Sequence, residues 1–500
     1  MDENVNPIDC SDSPFRSNPT LPAGFDDDDE LLNADIITGT AFSKQWLFTV
    51  LMKLIQEVDK QNEPGNDDSE FGVDVNEDLQ DELCNLWDMS MNSDVVVFMH
   101  EFKSVELLSA VIVKSRAPRV TEICVGILGN LSCNPTVCSE MSTNPEFINM
   151  VLLLLENPDG LCLVQTVRLL YCCLQSEEHY LPWVAAIKDH EANILELVKF
   201  IMASSTNVEL LKNVGELLNL LFYLEDELCE RWSTTAMLTA MLEAVKEIGF
   251  QPCPALEVFI HNFQLMSCSQ NGVLALENMS QPILEVLMKY LMFLCDEPIV
   301  PVDLKAKYLA AILSLINLIF LQGSKFDIGS FYKIDMFPKC LFKILEGLFP
   351  YIYHPVESSD SDGNKPKKKH HHHHHHHHQQ PQQHSLSVVE DLASFKRYQW
   401  KKEISGCDPS LAVLYKALHS SFLRLSWLIP KKTTEDSVWC QLLHYLDTEC
   451  SELHLHYLLL ILQDESEDIK NPLHHLKAVS DSNGLYRLHH VVMDTVVDDD

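Results

Sequence analysis

The stretch TEICVGILGNLSCNP (residues 121–135) decides the fold, because its glycines suit either a phosphate-binding loop or a closely packed helix. A phosphate loop needs a preceding strand and a Lys-Ser/Thr ending, and this stretch has neither. A nucleotide-clamping GXXG loop lies in a basic, exposed turn, whereas Ile127 and Leu128 are apolar. Gly126 and Gly129 lie near one face of a helix. Since glycine costs a helix about 1 kcal/mol relative to alanine, we predict that a neighbouring helix packs closely here.

The same pattern recurs when the apolar runs are aligned on one position. CVGILGNLS aligns with TVRLLYCCL, NVGELLNLL, VFIHNFQLM and AILSLINLI, and the steps between them are 42, 47, 45 and 53 residues. Most of these steps match the roughly 40–47 residues of armadillo and HEAT repeats. Such units bury their apolar faces only by stacking, so the sequence predicts an all-α, armadillo/HEAT-like helical repeat solenoid. The aligned residues are Asn130, Cys172, Asn219, Gln264 and Asn317.

Helix start and stop signals separate these runs. NPT (134–136), NPDG (157–160) and QPCP (251–254) are typical of helix boundaries. No strand-length segments alternate with the helical ones between residues 83 and 325, so this region is predicted to be entirely helical.

The first predicted helix is SKQWLFTVLMKLIQEV, with Ser43 as its N-cap. Trp46, Val50, Lys53 and Leu54 recur at helical spacing on one face. Near the other end of the chain, LASFKRYQWKKEIS is predicted to be the first of several further helices.

Composition divides the chain into five segments, because stretches poor in apolar residues cannot offset the cost of ordering the backbone. The predicted segments are a disordered acidic tail (1–40), armadillo-like repeats (41–353) with an acidic loop (58–82), a low-complexity insertion (354–390), C-terminal helices that extend or cap the array (391–478) and a polar acidic tail (479–500).

The low-complexity insertion carries the nine histidines His370–His378, followed by a Gln-rich run. Imidazoles at such spacing can bind Zn, Ni or Cu weakly, but no neighbouring residues orient them, so no metal site is predicted. KPKKKH (365–370) resembles a short nuclear-import signal and equally fits a solvated spacer. The acidic surroundings of Ser358, Ser359 and Ser361 make phosphorylation chemically plausible.

The charge balance bears on the choice of partner. The chain has 36 basic and 73 acidic residues, a formal net charge of −37. Such a surface repels phosphate, so no direct nucleic-acid binding is expected, and protein partners with neutral or basic segments fit better.

The sequence also bears on the compartment. The amino terminus lacks a secretory-signal pattern. The longest apolar stretches, such as YLAAILSLINLIFLQG (308–323), are shorter than the roughly 20 residues that cross a bilayer. We therefore expect an intracellular chain without membrane contact, in which most cysteines are small buried apolar residues.

Patterns of catalysis are missing from the sequence. It contains no GxSxG elbow, HExxH pair, GxGxxG loop or CxxC pair. Cys172 and Cys173 lie in an apolar run without an adjacent histidine, which favours inert buried thiols. The sequence therefore predicts that the protein is not an enzyme and has no catalytic residues and no cofactor.

Asn130, Asn219 and Asn317 are candidate partner-binding residues. An asparagine side chain offers a donor and an acceptor, so a row of them can pair with the backbone of an extended peptide. Alternatively, each one satisfies a buried backbone group of the neighbouring repeat. Sequence alone leaves both interpretations open.

Four segments resemble the serum amyloid A-like protein family over residues 43–225. They are SKQWLFTVLMKLIQEV, ELCNLWDMSMNSDVVVFMHEF, PRVTEICVGILGNLSC and FIMASSTNVELLKNVGELLNLLF, and WDMSM and EICVGILGN are the most specific. The resemblance implies an armadillo-type fold, a nuclear or nucleocytoplasmic location and a role in promoting cell proliferation, and it supplies no catalytic residues. Trp46, Trp87, Asp88 and Asn130 are the motif positions to test, and Trp87 and Asp88 join the candidate partner-binding residues.

Three hypotheses follow. The leading one is a non-enzymatic protein–protein interaction scaffold that promotes cell proliferation in the nucleus. The second is a nucleocytoplasmic transport adaptor with an acidic solenoid groove that binds basic import signals. The third is an enzyme with an unrecognised site.

Overall fold

The computed structural model describes most of the chain as two compact units. The described residues up to 232 and those of 239–248 form unit 1, and the described residues of 233–238 and from 249 onward form unit 2. The predicted tail at 1–40 lies outside the described residues, and so does the predicted insertion at 354–390 except for residues 354 and 355, which belong to a short strand and not to a low-complexity segment. The described residues are 43–63, 75–296, 302–321, 333, 336–355, 398–400, 408–434, 437–463 and 469–496.

Unit 1 is helical throughout its described residues, with a short 3-10 turn after its seventh helix. Its helices are α1 (Lys44–Gln61), α2 (Glu77–Met89), α3 (Ser93–Glu101), α4 (Ser104–Lys114), α5 (Pro118–Leu131), α6 (Pro135–Thr143), α7 (Pro145–Leu153), α8 (Gly160–Leu174), α9 (Leu181–Asp189), α10 (Glu191–Ser204), α11 (Val208–Leu224), α12 (Asp226–Trp232) and most of α13 (Thr235–Ile248).

Unit 2 is also mainly helical, with one two-stranded antiparallel sheet among its described residues. Its elements are α14 (Pro254–Met266), α15 (Gln270–Asn278), α16 (Ser280–Asp296), α17 (Ala306–Leu321), α18 (Met336–Ile352), β1 (Tyr353–Pro355), β2 (Tyr398–Trp400), α19 (Pro409–Leu428), α20 (Val438–His444), α21 (Glu452–Leu462), α22 (Pro472–Asn483) and α23 (Tyr486–Val496).

Asparagine residues begin many helices of unit 1. The side chains of Asn76, Asn92, Asn134, Asn144 and Asn207 each accept hydrogen bonds from the N–H groups of the second and third helical residues. These N–H groups have no partner within the helix, so each cap contributes about 1 kcal/mol. Proline follows two of these asparagines at the first helical position, where its missing N–H costs nothing. The boundary predicted from NPT is confirmed.

Helix α1 begins as predicted. The Ser43 hydroxyl accepts a hydrogen bond from the Trp46 N–H at 3.1 Å. Trp46, Val50 and Leu54 are buried, while the Lys53 ammonium lies 2.7 Å from a glutamate of α2. Lys53 therefore lies outside the buried part of the predicted face and pairs with the neighbouring helix.

The acidic loop predicted at residues 58–82 is wrong at both ends. Helix α1 continues to Gln61, and α2 begins at Glu77. Glu77 and Asp78 are stable in the first turn of α2 because the amino end of a helix favours negative charge. The buried side chains of Leu79 and Leu83 then hold α2 on the core.

Two C-terminal predictions are also wrong. Tyr398–Trp400 lies in the segment predicted as helix, but it forms β2 and pairs with β1, in keeping with the strand preference of aromatic residues. The tail predicted at 479–500 contains the end of α22 and all of α23. Gly484, at φ 68°, ends α22, and the buried side chains of Leu488 and Val492 hold α23 in unit 2.

The predicted all-α helical repeat fold is confirmed. In unit 1, α2, α5, α8 and α11 pack side by side in chain order, and in unit 2 α17 packs against both α14 and α19. We call these the third helices, because each is the last helix of its repeat. The five aligned residues from Asn130 to Asn317 lie on the successive helices α5, α8, α11, α14 and α17.

One described segment is long and apolar enough to cross a membrane by length and composition. It is Val302–Leu321, with a mean hydropathy of 1.7. The expectation that every apolar stretch is shorter than about 20 residues is wrong for this segment. Its apolar window is 61% buried inside the protein, as in a core helix, and α17 packs against helices on both sides.

Candidate functional site

The third helices of unit 1 carry four of the five predicted site residues. Helix α5 is at their centre and is buried from residue 120 to 132. A Cβ atom at Gly126 would overlap the indole of Trp87 on α2, and one at Gly129 would lie 3.0 Å from the Arg168 guanidinium on α8. The predicted close packing at both glycines is confirmed, and the two neighbouring helices each send one large side chain over α5.

Asn130 is the centre of a hydrogen-bond network at this position. Its Nδ2 donates to the Trp87 carbonyl oxygen at 3.0 Å and to the Ser90 hydroxyl at 2.9 Å. Its Oδ1 accepts from Nη2 of Arg168 at 3.0 Å, and the same nitrogen donates to the Gly126 carbonyl at 2.8 Å. The network joins α2, α5 and α8, so it links three successive repeats.

This geometry bears on the two interpretations of the asparagines. Asn130 is 5% exposed, and both of its amide hydrogens are used inside the protein. Asn317, in unit 2, is also buried, and its Nδ2 donates to the Ala417 carbonyl of α19 at 3.0 Å. Both therefore satisfy groups of a neighbouring helix. Partner binding by either one stays a prediction and would require these hydrogen bonds to open.

The remaining predicted residues are more accessible. Trp87 is half-buried, and Asp88 beside it is exposed on α2. Asn219 is half-buried on α11, two third helices further along unit 1. The structure thus brings Trp87 and Asn130 into contact, keeps Asp88 next to them, and holds Asn219 on a separate helix.

Sequence reasoning missed Arg168, which makes the hydrogen bonds that hold α8 to α5. The repeat alignment contains a signal for it, because Arg168 lies in TVRLLYCCL at the position that Gly126 occupies in CVGILGNLS. A long cationic side chain in an otherwise apolar run, one repeat after a pair of glycines, is typical of a residue that reaches across to the preceding helix.

The half-exposed side of α11 presents a row of polar and aromatic side chains. Lys212, Glu216, Asn219 and Tyr223 recur at helical spacing, and Tyr223 is 77% exposed. The Lys212 ammonium lies 3.4 Å from Glu216. Tyr171 is half-buried on α8, which packs against α11, and burial together with the charge of Glu216 raises its pKa. We call these five residues the α8–α11 row.

Cys173 is buried as predicted, whereas Cys172 is half-buried. The neighbouring Cys133 and partial burial raise the pKa of the Cys172 thiol, which favours its unreactive protonated form. The alternation arises because adjacent residues of a helix point about 100° apart. In the part of the chain that the structure describes, no group of three or more His, Cys, Asp or Glu side chains could hold a metal ion. The polyhistidine run lies outside that part.

Known proteins resemble this chain over much of its length. A family model described as the SAAL1 C-terminal domain matches residues 194–466. Protein saal1 of Danio rerio is 40% identical over 288 residues, which cover 55% of this chain and 61% of the relative. Protein SAAL1 of Homo sapiens is 30% identical over 360 residues, covering 67% and 76%. That of Mus musculus is 32% identical over 383 residues, covering 70% and 80%.

Two limits accompany these matches. The chain spans less than two thirds of the length of the Danio rerio protein and of Protein saal1 of Xenopus tropicalis, of which it covers 60%. A solved structure of an engineered protein aligns with 90% of this chain and 98% of its own, at 11% identity and a TM-score of 0.32.

Proposed function

This chain belongs to the SAAL1 family, and from that premise we propose that it is a non-enzymatic protein-interaction scaffold that supports cell proliferation in the nucleus. The observation that carries the proposal is the α8–α11 row. It combines an aromatic ring that is 77% exposed, an amide and charges of both signs at regular helical spacing. An extended segment that crosses these helices would meet stacking surfaces, donors and acceptors.

The rigidity of α8 supports this use of its surface. Arg168 is held by hydrogen bonds to Gly126 and Asn130 on α5, so the half-exposed side of α8 keeps a defined position. A surface that is already ordered loses little conformational freedom on binding, which favours affinity. The proposed binding residues are therefore Tyr171, Asn219 and Tyr223. The Asn130 network contributes by holding α8, which carries Tyr171, against α5.

The charge of the protein suggests the kind of partner. With a formal net charge of −37, the surface attracts basic segments, does not repel neutral ones and repels nucleic acid. Association with a basic segment should become slower and weaker as salt screens the charges beyond a Debye length of about 8 Å at physiological ionic strength.

The same charge favours a second candidate, a nucleocytoplasmic transport adaptor that binds basic import signals. Fluorescence recovery in living cells distinguishes the two candidates. An adaptor should exchange rapidly between nucleus and cytoplasm, and its cargo should be released by a small GTPase. A resident nuclear scaffold should show neither behaviour.

In unit 1, helices α4, α7 and α10 each precede a third helix, and we call them the second-helix layer. Their exposed surface provides a matched control. Val113 on α4, Leu153 on α7 and Phe200 on α10 are 74%, 65% and 66% exposed, and they lie 40 and 47 residues apart in the chain. These three apolar residues lie on helices other than the third ones. Substitutions there therefore test whether any exposed surface of the repeats can bind the partners.

The test is proximity labelling with affinity mass spectrometry on the full chain. We expect partners to be lost from the double variant Asn219→Ala and Tyr223→Ala, and to be retained by Leu153→Ala with Phe200→Ala. Circular dichroism must first show that both variants are folded. If the control pair loses the partners and the first pair keeps them, binding belongs to the second-helix layer and the proposed site is wrong.

A further inference from the structure

The loop that follows α19 in unit 2 is fastened to helix α22. It runs through residues 429–434, and α22 holds it at two points, eight residues apart on one broad face of the helix. At the first point, Nε2 of the His475 ring lies 2.7 Å from the Ile429 carbonyl oxygen. At the second, Asn483, the last residue of α22, hydrogen-bonds to the loop.

Thr433 makes two of the hydrogen bonds to the Asn483 side chain. Its backbone N–H donates to Oδ1 at 3.1 Å, and its hydroxyl donates to the same oxygen at 2.9 Å. The Asn483 Nδ2 group donates in turn to the Lys431 carbonyl at 3.2 Å and to the Val479 carbonyl of its own helix at 2.8 Å. We call these four hydrogen bonds the Asn483 clasp, and the Thr433 hydroxyl is one of its donors.

The clasp closes over apolar packing between α19 and α22. Leu476 of α22 lines the same small cavity as Phe422 and Leu425 of α19 and Ile429 of the loop. Leu476 and Val479 are both fully buried. Helix α22 therefore covers apolar side chains that would meet water if the helix moved away from α19.

Thr433 lies at the surface although its hydroxyl is engaged. Thr433 is half-buried, and its neighbours Lys432 and Thr434 are exposed. Glu435 and Asp436 follow it two and three residues later in the chain. Protein kinases select substrates by charge pattern, and a basic substrate groove attracts carboxylates that follow the hydroxyl. A kinase of this acid-directed class would have to open only one neutral hydrogen bond to reach the Thr433 hydroxyl.

We propose that Thr433 is a phosphorylation site, and that its modification by an acid-directed protein kinase opens the Asn483 clasp and loosens α22 from α19. The kinase transfers the γ-phosphoryl group of ATP: the bond from the γ-phosphorus to the oxygen of ADP breaks, and a bond to Oγ1 of Thr433 forms. The hydroxyl proton passes to the catalytic base of the kinase. The inference does not depend on the proposed scaffold function, because the α8–α11 row lies in unit 1.

The phosphate opposes the clasp in two ways. The esterified Oγ1 has no hydrogen left to donate, and the phosphate oxygens are acceptors that face the acceptor Oδ1 of Asn483. Asn483 also ends α22, and the carboxyl end of a helix carries a partial negative charge that repels phosphate. The exposed ammonium groups of Lys431 and Lys432 attract the phosphate toward solvent instead. All of these interactions favour movement of Thr433 away from Asn483.

The first measurement locates the phosphate. The full chain is incubated with a purified acid-directed serine/threonine kinase and ATP, and fragment-ion mass spectrometry assigns each modified residue. We expect phosphate on Thr433 in the wild-type chain and in the neighbouring variant Thr434→Val. If residue 433 stays unmodified in both, or if Thr434 takes up the phosphate in its place, the proposal is overturned.

Hydrogen exchange then measures the opening of the clasp. Phosphorylation of the wild-type chain should speed amide exchange in residues 472–483 about tenfold, the factor expected when two ordinary hydrogen bonds are lost. Thr433→Val, treated with the same kinase, can be modified at every other site, so treatment should leave its exchange in α22 unchanged. Asn483→Ala lacks the clasp from the start, so phosphorylation should add less than about twofold there. Phosphate on Thr433 without faster exchange in α22, or an equal acceleration in Asn483→Ala, would show that the clasp is not a switch.

Discussion

Helix α5 in unit 1 and helix α17 in unit 2 carry an asparagine at the same aligned position, yet the space around each is filled differently. In α5 the glycines at 126 and 129 leave room for Trp87 and Arg168 from the neighbouring helices. The aligned residues of α17 are Leu313 and Ile316, both fully buried, which fill the space themselves. The repeat pattern thus determines where a third helix lies. The size of its residues then decides whether the space around it is filled by side chains from neighbouring helices or by its own side chains.

The two asparagines differ accordingly. All three hydrogen bonds of the Asn130 amide go to groups on α2 and α8. Asn317 donates to the Ala417 carbonyl, but its buried Oδ1 has no hydrogen-bond partner among the described residues. A buried polar atom without a partner loses its hydration without compensation, so Asn317 should contribute much less to stability than Asn130.

The largest effect is expected in α17. Replacing Leu313 with alanine removes a fully buried side chain and should lower the free energy of unfolding by about 3–4 kcal/mol, through lost apolar burial and the cavity left behind. The shift of the urea midpoint measures it, and hydrogen exchange in residues 306–321 locates it. Leu313→Met, which conserves volume, should cost less than about 1.5 kcal/mol. If both variants lose the same free energy of unfolding, the volume of the Leu313 side chain is not what fills the space around α17.

The reciprocal change, Gly126→Leu, should destabilise unit 1 by about 2–3 kcal/mol, because the new side chain collides with the Trp87 indole. Tryptophan fluorescence should shift to longer wavelength as Trp87 moves into water. Gly160 is the control: a Cβ there meets nothing within 4 Å, so Gly160→Ala should leave the urea midpoint nearly unchanged. If adding Trp87→Ala to Gly126→Leu restores no stability, the collision is not the cause.

Asn130→Ala should lower the free energy of unfolding by about 2 kcal/mol, since it leaves the Trp87 carbonyl, the Ser90 hydroxyl and part of the Arg168 guanidinium without their partner. Amide exchange should accelerate in α2 and α8 as well as in α5, because the network spans all three. A double-mutant cycle with Arg168→Ala should give a coupling energy of about 1 kcal/mol. If amide exchange accelerates only in α5, Asn130 does not hold neighbouring repeats together.

The smallest effect is expected for Asn317→Leu, at about 0.5 kcal/mol or less. The variant removes one hydrogen bond but also a buried Oδ1 for which the described part of the chain offers no partner. The Ala417 carbonyl still accepts from the Ser421 hydroxyl at 2.9 Å. Thermal unfolding of both asparagine variants side by side checks the order. If Asn317→Leu costs as much as Asn130→Ala, the comparison between the two helices fails.

Local features of the chain were predictable from sequence. The N-cap at Ser43, the helix start after Asn134 and the close packing at Gly126 and Gly129 were all inferred correctly. The two helix starts depend on residues within one helical turn, where hydrogen-bonding rules are specific. The glycine pair predicts a close approach because it lacks side chains, but it does not say that Trp87 and Arg168 are the residues that approach. The strand at Tyr398–Trp400 was missed because its short aromatic run forms a ladder only when β1 is beside it.

The sequence alone determined that the protein is a helical repeat array. It did so through the spacing of apolar runs and caps, because helix period and capping are local properties of the chain. Only the tertiary structure decided which side chains meet across about 40 residues. It set Arg168 against Asn130 and the indole of Trp87 against Gly126. These contacts depend on the distances and rotation between stacked helices, which are set by the packing of all the side chains between them.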